Sequence, residues 1–165
     1  MYKRILVPID GSETGQRGLA EAITLAVEQK ATLCLVHVTS DFPLMGELAG
    51  GLDVAKYRDG LHQYGLSLLD DAKALATSAG LPVETRLRDL RGGRVSDAIV
   101  REARSTACDL IVIGTHGRRG FSRVLLGSDA ENVLRESPVP VLLVRASSVA
   151  ARESAARSQE GGGLS

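Results

Sequence analysis

The residues with the most chemical promise lie in the stretch "GTHGRRGFSRVLLGSDAENVL", Gly114 to Leu134, which follows the apolar run "DLIVIG". Ser128 and Glu131 form a Ser-x-x-Glu pattern, predicting a capping box in which the serine side chain satisfies an orphan amide and the glutamate reaches back. Just before it, Gly127 allows close backbone approach. Its amide and the free amides of the first helical turn can then face an anion at the positive end of the helix dipole. Gly114 and Gly117 supply unusual dihedrals and room for a ribose or phosphate. Arg118, Arg119 and Arg123 either reach phosphates or decorate a solvated loop. The other reading makes the glycines a turn and Ser128 a simple cap. Neither GxxxxGK[ST] nor a GxGxxG after a strand occurs, so P-loop phosphotransfer and a dinucleotide fingerprint are unsupported.

These groups need a scaffold, and the hydrophobic pattern supplies one. Short apolar runs predict strands at Arg4 to Ile9, Ala31 to Val38, Val83 to Arg88, Asp109 to Gly114 and Val139 to Val144. All but the third are nearly continuous aliphatic runs, as in parallel strands covered on both faces. The third alternates and suits an edge. Between them run amphipathic stripes, Leu19-Ala22-Ile23-Ala26 and Val54-Tyr57-Leu61-Tyr64-Leu68-Ala72-Leu75. Gly60 and Gly65 weaken the second stripe as a continuous helix. A third helix spans about Arg94 to Ser105, and a fourth starts near Ser128 and stops before "SPVP". Alternating β and α elements predict a doubly wound α/β sheet with right-handed crossovers and helices on both faces.

Such sheets bind ligands beyond the carboxyl ends of the strands, where the strand order reverses. With order 3-2-1-4-5, "PIDGS" (Pro8 to Ser12) and "GTHG" (Gly114 to Gly117) leave the sheet side by side. A long connection, Ser40 to Gly51, breaks the rhythm in the manner of lids and binding loops. The tail Ala146 to Ser165 lacks large apolar residues and is expected to be flexible, leaving residues 1–145 as a single domain.

Composition narrows the partners. The chain has 165 residues, about one domain, with 20 basic and 20 acidic side chains. That balance implies no general polyanion-binding surface, so nucleic acid and anionic membrane are not expected partners. Cys34 and Cys108 lie in separate apolar runs without metal-ligand spacing and read as buried thiols. With no long apolar run and no signal peptide, a cytoplasmic location is expected. His37, His62 and His116 fit no convincing nucleophile–base set, so no dedicated catalysis is expected.

"ILVPIDGSE", "GTHGRRGFSRVLLGS" with its G-x2-G-x9-G-S spacing, and "SPVPVLLVR" together resemble the universal stress protein family, over residues 2 to 145. The resemblance implies a five-stranded sheet of order 3-2-1-4-5, adenine nucleotide alpha hydrolase-like, that binds ATP with Mg²⁺. Under it Asp10 holds the ribose, and Pro8, Ile9 and Val38 line the adenine slot. Gly114 and Gly117 border ribose and α-phosphate; Gly127, Ser128 and the amide of Asp129 hold the outer phosphates. Asp129 stands where ATP-binding relatives commonly carry an apolar residue. From the residues alone, Asp10 reads equally well as a capping or turn aspartate. The resemblance also implies a homodimer through the last strand, Val139 to Val144, with capping by the tail as the alternative. The implied function is a nucleotide-dependent stress-response or signalling module. A slow ATPase or nucleotidyl transferase, or a nucleotide-free dimeric scaffold, are the other readings.

Overall fold

The structure, a computed structural model, describes residues 1–40, 54–115 and 126–145. His116, Gly117, Arg118, Arg119 and Arg123, the connection beyond Ser40 and the tail lie outside them.

Five parallel strands form one sheet: β1 (Arg4–Pro8), β2 (Thr32–Ser40), β3 (Val83–Leu90), β4 (Leu110–Gly114) and β5 (Val141–Val144), in the order β3-β2-β1-β4-β5. The helices are α1 (Glu13–Gln29), α2 (Val54–Ser78), α3 (Val95–Ser105) and α4 (Ser128–Glu136). The order is the one the family resemblance implies, and the alternating strand β3 is indeed an edge.

Strand alternation divides the core in two. Ile5, Val7, Leu33 and Leu35 pack with Leu19, Ala22 and Ala26 of α1 and Leu69, Ala72 and Ala76 of α2. Leu6, Cys34, Val36, Ile111 and Ile113 pack on the other face with Ile99, Val100 and Ala103 of α3 and Ala130 and Val133 of α4. The central strands therefore carry apolar residues on both faces over Ile5–Val7, Leu33–Val36 and Leu110–Ile113.

The doubt over α2 resolves into packing. The helix runs unbroken through Gly60 and Gly65. A Cβ on Gly65 would lie 2.6 Å from His37 Cδ2 and 2.8 Å from Leu87 Cδ1, so the absent side chain lets α2 settle onto β2 and β3. Gly60 faces nothing within 4 Å and only costs helix propensity.

Candidate functional site at the carboxyl ends of β1 and β4

The strands end at unequal heights, and this makes a notch. Pro8, the last residue of β1, is level with Val36, whereas β2 continues to Ser40 and β3 beside it to Leu90. Ile9 closes the β1 ladder by donating its N–H to Val36 O at 2.8 Å. The Val36 backbone thus faces β1. Two residues on, Val38 faces the same way, and its N–H and C=O point to the side that β1 has left. Val38 is half-buried, its side chain packed on the α3–α4 face.

Asp10 follows at the rim, half-buried. Its Oδ1 accepts from Ser12 N–H at 2.9 Å and from the Ser12 hydroxyl at 2.6 Å, while Ser12 Oγ caps α1 by accepting from Gly15 N–H at 3.0 Å. The left-handed Gly11, φ 77°, permits this tight turn. The turn reading of Asp10 therefore holds, and the turn fixes the carboxylate at the mouth of the notch. Pro8 and Ile9 divide between faces. Pro8 is half-buried, but Ile9 sits in the α1–α2 core and its carbonyl meets His37 Nδ1 at 2.5 Å. His37, only 2 % exposed, is thereby a structural residue that ties β2 to the end of β1.

On the opposite wall, Gly114 ends β4. A Cβ there would lie 2.7 Å from the Thr14 carbonyl carbon and 2.8 Å from its oxygen, so Gly114 is required for close approach of α1. It is not among the described residues with positive φ, which corrects the expectation of unusual dihedrals. Gly15 and Gly18 were not singled out in the sequence, yet they complete the contact. A Cβ on Gly15 would collide with Asp10 Oδ1, and one on Gly18 would lie 3.5 Å from Gly114 N. Their three-residue spacing on a stripe facing the sheet was the available signal.

The start of α4 differs from the capping-box expectation. Gly127 is the N-cap, with ordinary extended dihedrals (φ −61°, ψ 144°), and as a glycine it has no side chain with which to cap the helix. Ser128 is the first helical residue, and the first intrahelical bond runs from Glu131 N–H to Gly127 O at 2.9 Å. The Gly127 amide is also not available to an anion, since it donates to Thr115 O at 2.8 Å. That bond clamps α4 to the end of β4, where Thr115 N–H donates to Val144 O. The amides of Ser128, Asp129 and Ala130 belong to the first turn, ahead of the first intrahelical bond. Asp129 and Glu131 set two carboxylates in this exposed first turn, and Glu131 pairs with Arg135 at 2.8 Å.

Pro8, Asp10, Val38 and Gly114 thus border one notch at the reversal of strand order, with Gly127, Ser128 and Asp129 reached through Thr115. Gly117 lies outside the described residues. Among the described residues no group of three or more His, Cys, Asp or Glu side chains could hold a metal ion, and no helix is long and apolar enough to cross a membrane.

A doubly wound sheet of this order places its ligand crevice at the point where the strand order reverses. The chain belongs to the universal stress protein family, whose model matches residues 1–145, and its fold is adenine nucleotide alpha hydrolase-like. It is 33% identical over 145 residues to a universal stress protein, MJ0531, of Methanocaldococcus jannaschii, covering 88% of this chain and 83% of that one. A universal stress protein solved in complex with cAMP matches at 26% identity and TM-score 0.63, covering 88% of this chain and 98% of that one. The Archaeoglobus fulgidus universal stress protein in complex with dAMP matches at 25% identity and TM-score 0.60, covering 87% and 98%.

Proposed function

We propose that this chain is a cytoplasmic ATP-binding module that transmits a stress or signalling state through its bound nucleotide. The observation that carries the reading is the notch itself. It combines an apolar rim, a strand backbone at Val38 with both polar groups facing outward, and a fixed carboxylate at Asp10. That set matches the three parts of an adenosine: the base edge, the base face and the ribose hydroxyls. Pro8 contributes apolar surface to the base, while Ile9 supports it from the α1–α2 core. Gly114 and Gly117 border the ribose and α-phosphate, and the outer phosphates lie at the start of α4, held by the amides of Ser128 and Asp129 while Gly127 positions that turn. Two relatives solved with cAMP and dAMP support the adenine nucleotide class.

Mg²⁺ fits this donor set. It keeps several waters and is usually held by one or two carboxylates together with phosphate oxygens, and exposed Asp129 offers such a carboxylate. When bound, the ion neutralises triphosphate charge. Asp129 then supports binding of the metal complex, although its charge alone repels phosphate.

A module of this kind needs no dedicated catalysis. The apolar edge strand β5, extended by Val139 and Pro140, is proposed to pair with its copy in a homodimer; Leu142 there is exposed. With 20 acidic and 20 basic side chains, neither nucleic acid nor an anionic membrane is proposed as a partner.

Calorimetric titration with ATP and Mg²⁺ tests the reading. One site per chain is expected, weakened at least 10-fold in Asp10→Ala and retained in Ser12→Ala, which keeps the carboxylate. No heat and no nucleotide released from the purified protein would leave the scaffold reading in its place. Multiple rapid turnovers of ATP, abolished in Asp10→Ala, would establish the enzyme reading instead.

A further inference from the structure

The amino half of α2 carries an aromatic residue that neither half of the core accounts for. Tyr64 is 44% exposed and stands outside both apolar clusters. Its hydroxyl lies over Gly11. A Cβ on Gly11 would stand 2.9 Å from Tyr64 Oη and 3.3 Å from Cδ2 of Leu68, one turn further along the helix. Gly11 is the left-handed residue, φ 77°, of the turn that holds the Asp10 carboxylate. The Tyr64 ring also meets His37 edge to face, with centroids 6.4 Å apart and planes at 83°. His37 in turn meets the Ile9 carbonyl through Nδ1. One turn of α2 therefore touches the residues on both sides of Asp10.

We propose that Tyr64 is a positioning residue of the candidate nucleotide site: seated on Gly11 and His37, it holds the Asp10 turn and so sets how firmly the carboxylate can grip a ribose. The inference rests on the reading of the notch as a nucleotide site.

The turn needs a restraint from outside. Pairing of β1 ends with the Ile9 N–H, so no strand ladder reaches Asp10 or Gly11. The bonds from Ser12 to Asp10 Oδ1 are internal to the turn, and they fix its shape rather than its place above the sheet. α1 anchors the far end through the Ser12 cap. Between these two anchors stands a glycine, the residue with the widest backbone freedom, and α2 presses on it directly.

α2 is itself held at this level. His62 Nδ1 meets Asp89 Oδ2 at 3.0 Å, and the Thr39 hydroxyl donates to the other carboxylate oxygen at 2.7 Å, which ties the helix to the ends of β2 and β3. Gly65, next to Tyr64, lets the helix backbone close onto His37 and Leu87. The tyrosine is thus pressed onto the turn by a helix that cannot lift away. Because its ring is half-exposed, truncating it opens no sealed cavity and leaves the fold intact while freeing Gly11. A nucleotide must then order the turn as it binds, and affinity falls.

The test uses the full chain. In nucleotide-free protein, hydrogen exchange of the Ser12 amide, which donates to Asp10 Oδ1 at 2.9 Å, reads the turn alone. Tyr64→Ala should speed that exchange roughly 10-fold. Ala72→Gly, which weakens the same helix on its core face, should leave it within about 2-fold. In calorimetry with ATP and Mg²⁺, Tyr64→Ala should weaken binding about 5-fold. The same change made in Asp10→Ala should weaken binding no further, because Tyr64 acts through that carboxylate. Unchanged Ser12 exchange, fully additive losses in the double variant, or an equal loss in Ala72→Gly would each overturn the proposal. Wild-type binding with the same affinity in Tyr64→Ala would overturn the proposal alone, whereas no heat from the wild type would strike the nucleotide reading and the proposal with it.

Discussion

Replacing Gly114 with alanine probes the contact on which the notch depends. The added methyl would lie 2.7, 2.8 and 2.9 Å from the Thr14 carbonyl carbon, carbonyl oxygen and Oγ1. Ordinary carbon contacts fall near 3.5–4.0 Å, so a gap of about 1 Å must open between β4 and α1. Two of the three atoms are backbone in the first turn of α1, and they cannot rotate away. Overpacking of this kind costs about 1–3 kcal/mol, which lowers the melting temperature by roughly 3–10 °C for a domain of this size. The shift also moves Asp10, because the Asp10–Ser12 turn caps the same end of α1. Urea unfolding with a common m value measures the effect. Gly60→Ala is the internal control: its methyl meets nothing within 4 Å, and it should stabilise by about 0.5–1 kcal/mol. A Gly114→Ala protein as stable as wild type, or a Gly60→Ala protein as damaged as Gly114→Ala, would refute the close-approach argument.

Three further substitutions probe other parts of the structure. Ser12→Ala removes the α1 cap and should cost about 1 kcal/mol by urea unfolding, with a smaller loss for Ser12→Thr, which keeps a hydroxyl for both Gly15 N–H and Asp10. The Thr39 hydroxyl at 2.7 Å, and next His62, hold Asp89 below the usual aspartate range. Its stabilisation is therefore present above the unfolded-state pKa and lost as pH falls through the folded one. Wild type should lose its advantage over Asp89→Asn between about pH 5 and pH 2, by no more than about 1 kcal/mol because the carboxylate is solvent-screened; an advantage that grows in acid would contradict this. Leu142→Arg, at the exposed edge of β5, should convert a dimer to monomer in sedimentation while leaving nucleotide affinity within about 2-fold, and an unchanged dimer would move the interface elsewhere.

The sheet was legible because strands buried on both faces leave unbroken apolar runs such as Ile5 to Val7 and Leu33 to Val36. Gly65 misled in the opposite direction, since local propensity counts its cost while the His37 and Leu87 contacts that require it come from strands distant in sequence. At the site, the sequence located the two loops but not the partner of each group. Ser-x-x-Glu reads the same whether Ser128 is the cap or the first helical residue. What decides is the Gly127–Thr115 bond, a tertiary contact invisible to a four-residue pattern. The turn reading of Asp10 holds, and the same turn fixes its carboxylate at the rim. Val38 became informative only from strand register, because its outward backbone depends on β1 ending two residues earlier.

Backbone amide shifts recorded by NMR during titration with ATP and Mg²⁺ would test the central claim most directly. Adenine nucleotide in the notch should perturb Asp10, Val38, Gly114 and Ser128 together and saturate with one affinity, leaving Arg4, Cys108 and the amino ends of the strands unchanged. Shifts confined to the amino ends, or none at millimolar nucleotide, would contradict it.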